Sequence, residues 1–246
     1  MKTFRVAVCN LQTGIGTTKG YWQYLLTGHR YWFPHGSRPI EHAADFLRDA
    51  QIDLALLCEV EGGSRRSRWV DQLDLLARRS GLQERLFFPT RIVGRTINQG
   101  NGIVGRWPLR YRFNRALPGQ GEPRFLSAAS LKSRFGSLRL LVTHLSLEQT
   151  LREPQIHSIA AALADSDEPT LLGGDFNISQ EAELDLIQEG HLAKALSRAT
   201  FPAWQPRRAL DHLFLSHHFE VCAVDTYDRW LFSDHLPLIV KLRIRS

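Results

Sequence analysis

The sequence predicts an α/β fold in which two β-sheets pack face to face with helices on the outside. Two observations carry this. Nine short apolar or alternating segments read as strands: 4–11, 52–58, 102–104, 125–131, 138–144, 170–173, 211–215, 219–224 and 236–244. Between them lie four segments with helical spacing of apolar residues, and strands interleaved with helices need layers that cover both faces of a sheet.

The helices follow from periodicity. Ile40, Ala43, Ala44, Leu47 and Ala50 share one face of a helix over 40–50. Trp69, Leu73, Leu76 and Ala77 mark a second over 69–79, and Ile156, Ile159, Ala160 and Leu163 a third over 156–163, with Pro154 suited to its first turn. A shorter fourth covers 180–188. No repeat, low-complexity tract or linker divides the 246 residues, so one domain over 1–246 is expected.

Composition bounds the function. The chain is 43% hydrophobic and 23% charged, as globular proteins are. Its net charge is +6, which suits an anionic partner. Arginine outnumbers lysine 26 to 5, and arginine is the better fork for phosphate, although the codons of a GC-rich genome give the same bias. Cys9, Cys58 and Cys222 lie in strand-like runs, an odd count without zinc spacing, so they read as core thiols of a reducing compartment. The first eight residues alternate and lack a signal peptide's apolar core, and no apolar run is long enough to span a membrane, so a cytoplasmic protein is expected.

The candidate chemistry sits at strand ends. The run 169–172 leads into Gly173-Gly174-Asp175-Phe176-Asn177, and alternation puts Asp175 and Asn177 on one side, with the glycines allowing close approach of backbone and ligand. Asn10, Glu59 and His144 end other apolar strands; Asp211 opens one, and Ser233-Asp234-His235 precedes the last. These are hard oxygen donors and imidazoles without clustered cysteines, which favours Mg²⁺, with Mn²⁺ able to substitute, over structural zinc. Of the remaining residues, Glu61 reads as a surface acid, His212 points away from Asp211, His217 and His218 sit in a turn, and His157 faces solvent.

The motifs Val8-Cys9-Asn10, Leu57-Cys58-Glu59-Val60, Gly100-Asn101-Gly102-Ile103-Val104-Gly105-Arg106-Trp107-Pro108, Val142-Thr143-His144-Leu145, Gly173-Gly174-Asp175-Phe176-Asn177, Ala209-Leu210-Asp211-His212 and Ser233-Asp234-His235-Leu236-Pro237 occur in this order. In this the chain resembles the endonuclease/exonuclease/phosphatase superfamily. That group includes deoxyribonuclease I, apurinic endonucleases, bacterial sphingomyelinases and inositol polyphosphate 5-phosphatases. More narrowly, it is similar to the short, uncharacterised bacterial members. The resemblance implies a four-layer α/β sandwich and metal-assisted phosphoester hydrolysis. It implies Glu59 as main metal ligand, Asn10 assisting metal and phosphate, and Asp234 near metal or water. By the same resemblance Asp175 and Asn177 orient the attacking water and hold the phosphoryl group, and Asp211 and His235 form an acid–histidine pair. His144 matches a phosphate-contacting histidine of the deoxyribonuclease and sphingomyelinase branches, and Asn101 a polar residue at the site rim.

The expected activity is hydrolysis of a phosphodiester, in nucleic acid or a phospholipid headgroup at a membrane surface. The alternatives are a phosphomonoesterase on a phosphosugar or inositol phosphate, and a non-catalytic module of the same fold. No obligate protein partner is expected. Arg65 and Arg66, in Ser64-Arg65-Arg66-Ser67-Arg68, read as a phosphate-binding rim at a helix start or as a solvated loop, and Arg207-Arg208 invites the same reading. Trp22 and Trp32 belong to an aromatic–basic segment, 14–37, that reads as a substrate-recognition flap or as a flap packed on the domain's own surface.

Overall fold

A computed structural model describes residues 3–245 apart from 134–135, 165–166, 179–180, 190–191 and 230. The first strands in the chain are β1 (Thr3–Asn10), β2 (Leu54–Glu61), β3 (Glu84–Val93) and β4 (Ile97–Gly105). Next come β5 (Leu109–Ala116), β6 (Phe125–Ser133), β7 (Gly136–His144), β8 (Thr170–Asp175), β9 (Leu192–Lys194) and β10 (Asp211–Ser216). The last are β11 (Phe219–Thr226) and β12 (Leu238–Ile244). They form two six-stranded sheets, ordered β11-β12-β1-β2-β4-β3 and β5-β6-β7-β8-β10-β9. The helices are α1 (Trp22–Thr27), α2 (Arg38–Asp49), α3 (Gln72–Ser80), α4 (Gln149–Leu163) and α5 (Asp185–Glu189).

Alternation along the strands builds the layers. Val6, Val8, Leu54, Leu56, Leu140, Val142, Leu171 and Leu213 point into a core between the sheets. Their neighbours Ala7, Leu57 and Val104 pack outward against Ile40, Phe46, Leu47 and Leu73 of α2 and α3. On the other side Leu141, Leu172 and Phe214 pack against Ile156, Ile159 and Leu163 of α4. Helices, sheet, sheet and helices make the four-layer sandwich.

Several boundaries differ from the periodic reading. Helix α3 starts later than Trp69. Asp71 caps it by accepting from Asp74 N–H at 3.0 Å, and Gly81 ends it at φ 81°. Trp69 itself is exposed, at φ 65°. Helix α4 starts at Gln149, so Pro154 lies inside it rather than in its first turn. Gln180 lies outside the described residues, and a 3₁₀ turn (Glu181–Leu184) precedes α5. Cys9 and Cys58 are buried thiols, but Cys222 is exposed. Among the described residues no helix is long and apolar enough to cross a membrane.

The two glycines before Asp175 serve the sheets. A Cβ on Gly173 would stand 2.7 Å from Leu56 Cδ1 and 3.0 Å from Val8 Cγ2, so this glycine lets the sheets approach. Gly174 has φ 153°, and its Cβ would lie 1.8 Å from the carbonyl oxygen of Thr143 in the neighbouring strand. Neither glycine is there to make room for a ligand.

Topology places the polar strand ends together. Strands β1 and β2 run parallel, as do β7 and β8. Asn10, Glu59, His144 and Asp175 therefore reach one edge of the sandwich. Strand β10 is antiparallel to β8 and pairs Asp211 with Asp175. Strand β12 is antiparallel to β1, so the 233–237 loop before it arrives at the same edge.

Candidate active site

The site is the polar end of the inter-sheet core. Asn10 continues the inward face of Val6 and Val8, His144 that of Leu140 and Val142, and Asp175 that of Leu171 and Gly173. Glu59 gets there by another route. Strict alternation after Leu54, Leu56 and Cys58 would turn it outward toward the helices. Instead the β2–β4 register shifts between Leu57 and Val60, where three steps on β2 oppose two on β4. Glu59 takes φ 53° in this bulge. Val60 then packs on the helix side, and Glu59 faces the site.

These residues line a cavity of about 330 Å³. On its floor Asn10 Nδ2 donates to Glu59 Oε1 at 3.1 Å and to Asp175 Oδ2 at 3.0 Å. His235 Nδ1 lies 2.8 Å from Asp211 Oδ2, and its Nε2 lies 3.7 Å from Asp175 Oδ2. His144 Nε2 lies 3.6 Å from Asp175 Oδ2, and its Nδ1 3.9 Å from Glu59 Oε1. Asp234 Oδ2 accepts from Tyr24 Oη at 2.5 Å and Gln12 Nε2 at 3.1 Å. Asn177 reaches the cavity by a turn rather than by strand alternation. Strand β8 stops at Asp175, and Asn177, at φ 54°, donates its N–H to Asp175 Oδ1 at 3.0 Å and its amide to the Leu145 carbonyl at 2.9 Å.

Electrostatics separate the groups. Burial pushes the Glu59 carboxyl up to about 7, and the neighbouring Asp234 charge adds to this. Burial also raises Asp175. On His235 burial opposes the charged ring, but Asp211 and Asp175 outweigh it and hold the imidazole protonated. His144 is driven down by burial, then by Arg124 and His235, and stays neutral. One edge thus carries a cationic imidazole between two carboxylates, a neutral imidazole, and the raised carboxyl of Glu59, whose charge Arg124 offsets only in part. Asp175, Asp211 and His235 also offer donor atoms within 4.8 Å of one another, a spacing that a metal ion accepts.

Some expected residues lie elsewhere. Arg66 is fully buried and pairs with Glu61 through Nε at 2.7 Å and Nη2 at 2.5 Å, so it is no phosphate rim, and Glu61 is a core acid rather than a surface one. Arg65 is exposed and outside the cavity wall, and no helix starts at 64–68. Trp22 and Trp32 are exposed and do not line the cavity; Trp32 reaches it only through Arg91, whose guanidinium lies 5.5 Å from its ring. Asn101 is buried, donates to Ser127 Oγ at 3.0 Å, and lines a small recess with Glu59 and His144. His212 is buried against Phe176 and Phe214, facing away from the cavity.

The cavity has a wall that the motifs did not announce. Gln12, Tyr24, Tyr31, Gln99, Arg91 and Arg124 line it; Arg208, one of the two arginines expected at a phosphate rim or in a solvated loop, lines it too, stacked 4.8 Å over Phe201. Gln12 stands two residues past Asn10, with its N–H donating to Asn10 Oδ1, which is the one local signal that could have found it. The two arginines at 91 and 124 come from unrelated strand and loop positions and carry no motif.

The buried pair Arg66–Glu61 gives a stability prediction. Arg66→Met leaves the Glu61 carboxylate charged and buried, which costs about 3–5 kcal/mol. Urea unfolding checks this, and a loss of a few tenths would mean that the pair is not closed to water.

The endonuclease/exonuclease/phosphatase family model matches residues 10–235. No curated protein sequence matches the chain. An endonuclease/exonuclease/phosphatase from Beutenbergia cavernae superposes with TM-score 0.76 at 20% identity, covering 99% of this chain and 72% of that one. Bacteroides thetaiotaomicron mannosyl-6-phosphatase gives 0.69 at 16% identity, over 98% and 100%. D. rerio TDP2 with a single-strand DNA product gives 0.70 at 15% identity, over 99% and 100%. These identities establish a shared fold. With the family model spanning the chain from Asn10 to His235, the protein belongs to the endonuclease/exonuclease/phosphatase family.

Proposed function

We propose that the protein hydrolyses a phosphodiester with a divalent cation held at Glu59. Members of the family hydrolyse phosphoesters. The observation that carries the reading is the placement of the His235 ring, with Nδ1 2.8 Å from Asp211 Oδ2 and Nε2 facing Asp175 Oδ2 across 3.7 Å. A group that accepts a proton and a group that meets negative charge then stand side by side.

The residues fit a hard cation. Glu59 lines the cavity with the Asn10 amide as its hydrogen-bond partner among the described residues and a raised pKa, so its charge is only partly offset by the Asn10 amide and Arg124. Glu59, with Asn10 and Asp234 beside it, would hold Mg²⁺ or Mn²⁺; both ions take carboxylate and amide oxygens. When bound, the ion supplies positive charge for phosphoryl oxygens and an acidified water.

The chain's own groups do the rest. Asp175, fixed by Asn10 and Asn177 and raised by burial, takes the proton of the attacking water at its carboxylate. His235 Nε2–H faces the negative charge that grows on the phosphoryl oxygens, and Asp211 holds the ring tautomer from the other side. His144, neutral, donates a hydrogen bond to the same phosphoryl group. Tyr24, with its ionisation raised by burial and Asp234, stays protonated and positions Asp234. Arg208 at the wall suits the substrate's charge, as do Arg91 and Arg124, although Glu122 beside them, 3.6 and 3.0 Å away, neutralises part of theirs.

The test is hydrolysis of bis-nitrophenyl phosphate with Mg²⁺, Mn²⁺ or a chelator, beside single-stranded DNA, RNA, sphingomyelin, phosphoinositides and phosphosugars. Turnover of diesters that the chelator abolishes is the expected result. Turnover of monoesters alone would replace this reading with that of a phosphatase.

A further inference from the structure

Helix α1 is amphipathic in the inverse sense. Trp22, Leu25 and Leu26, at i, i+3 and i+4, share one face, and it is open to water: Leu25 is 88% exposed, Leu26 62% and Trp22 56%. The polar residues turn inward. Tyr24 donates to Asp234, Gln23 Oε1 accepts from the N–H groups of Thr18 and Lys19 at 2.7 Å, and Thr27 Oγ1 lies 3.0 Å from Thr17 Oγ1. A helix at a protein surface normally buries its apolar stripe. Tyr21, Trp32 and Phe33 of the same segment are exposed as well, and exposed apolar groups of this size mark docking surfaces.

Charge selects the occupant. The same segment borders a groove of about 680 Å³ lined by Lys19, His29, Arg30, Arg38, His42 and Arg68, and by no acid. Lys19, Arg38 and Arg68 form no salt bridge among the described residues. Exposed leucines and tryptophan beside unpaired cations match an anionic bilayer. The apolar side chains enter the acyl boundary, and the cations meet headgroup phosphates. A nucleic-acid strand would use the aromatics and cations but gives Leu25 and Leu26 nothing to stack on. A second copy of the chain would bring like charges together.

We infer that α1 and its flanks dock on an anionic lipid surface, with headgroup phosphates at Lys19, Arg38 and Arg68. Tyr24 and Tyr31 of the same segment line the active-site cavity, so docking sets that cavity beside the headgroups. Which ester is cleaved there rests on the hydrolysis proposed above.

Sedimentation of the whole chain with vesicles, without metal, tests the docking apart from any chemistry. The protein sediments with phosphatidylcholine–phosphatidylglycerol vesicles, is released by high salt, and ignores pure phosphatidylcholine. Leu25→Ser with Leu26→Ser lowers partitioning about tenfold or more while the melting temperature holds. Lys19→Glu with Arg68→Glu gives a comparable loss, so the inference stands or falls even if the serine variant misfolds. Any of four outcomes overturns it: no co-sedimentation, equal binding to both vesicles, full retention by both variants, or a dimer that the serine variant dissolves. Single-stranded DNA binding lost in both variants, with no vesicle binding, assigns the face to nucleic acid instead.

Discussion

Asp175→Asn lowers diester turnover by roughly two to four orders of magnitude, the range of general acid–base groups. The substitution keeps the size of the side chain. The amide that replaces the carboxylate has one acceptor oxygen for the two donors that now meet Asp175, Asn10 Nδ2 and Asn177 N–H, so one hydrogen bond is lost, at about 1–3 kcal/mol. A loss of that size cannot account for the fall in rate. The measurement is single-turnover rate at saturating metal, beside urea unfolding. A near-normal rate per folded molecule would remove Asp175 from the reaction and leave it a holder of the Asn177 turn.

Glu59→Gln separates metal from fold. Burial and the charge of Asp234 push the Glu59 carboxyl up to about 7, so its ionised form is held at a cost to the metal-free protein. A neutral amide removes that cost. The variant therefore melts at or above the wild-type temperature without metal, and the rise in melting temperature that Mg²⁺ gives the wild type disappears. Metal affinity and turnover fall together, by roughly two or more orders of magnitude. A variant that keeps its Mg²⁺-dependent rise would move the cation away from Glu59, toward Asp175, Asp211 and His235. Stability gained where function is lost is the usual mark of a site kept under strain.

Much of this site is legible in sequence because its residues end apolar strands. Asn10, His144, Asp175 and Asp211 follow from alternation alone, as the inward positions after Val8, Val142, Gly173 and before Leu213. What escaped reading is equally physical. Strands β3, β5 and β9 all lie at sheet edges. Edge strands carry the charges and proline that discourage further pairing, so Glu84-Arg85 with Pro89, and Arg110-Tyr111-Arg112, do not look like strands. The Arg66–Glu61 pair escaped because nothing in Ser64-Arg65-Arg66-Ser67-Arg68 tells which arginine folds inward; only the carboxylate five residues earlier, buried by the bulge in β2, decides it. Arg91, Arg124, Tyr24 and Tyr31 escaped because they meet at the cavity from segments far apart in sequence.

The bulge between Leu57 and Val60 makes the site depend on counting as well as on identity. Removing one residue there would let β2 and β4 pair without interruption, and the sheet would lose little. With Cys58 removed, Glu59 would take the inward place that the thiol now holds, because the step after the outward Leu57 turns back toward the core. The bulge thus seats two inward side chains, a core thiol and the site carboxylate, where an uninterrupted strand has room for one, so a deletion at this point trades one against the other.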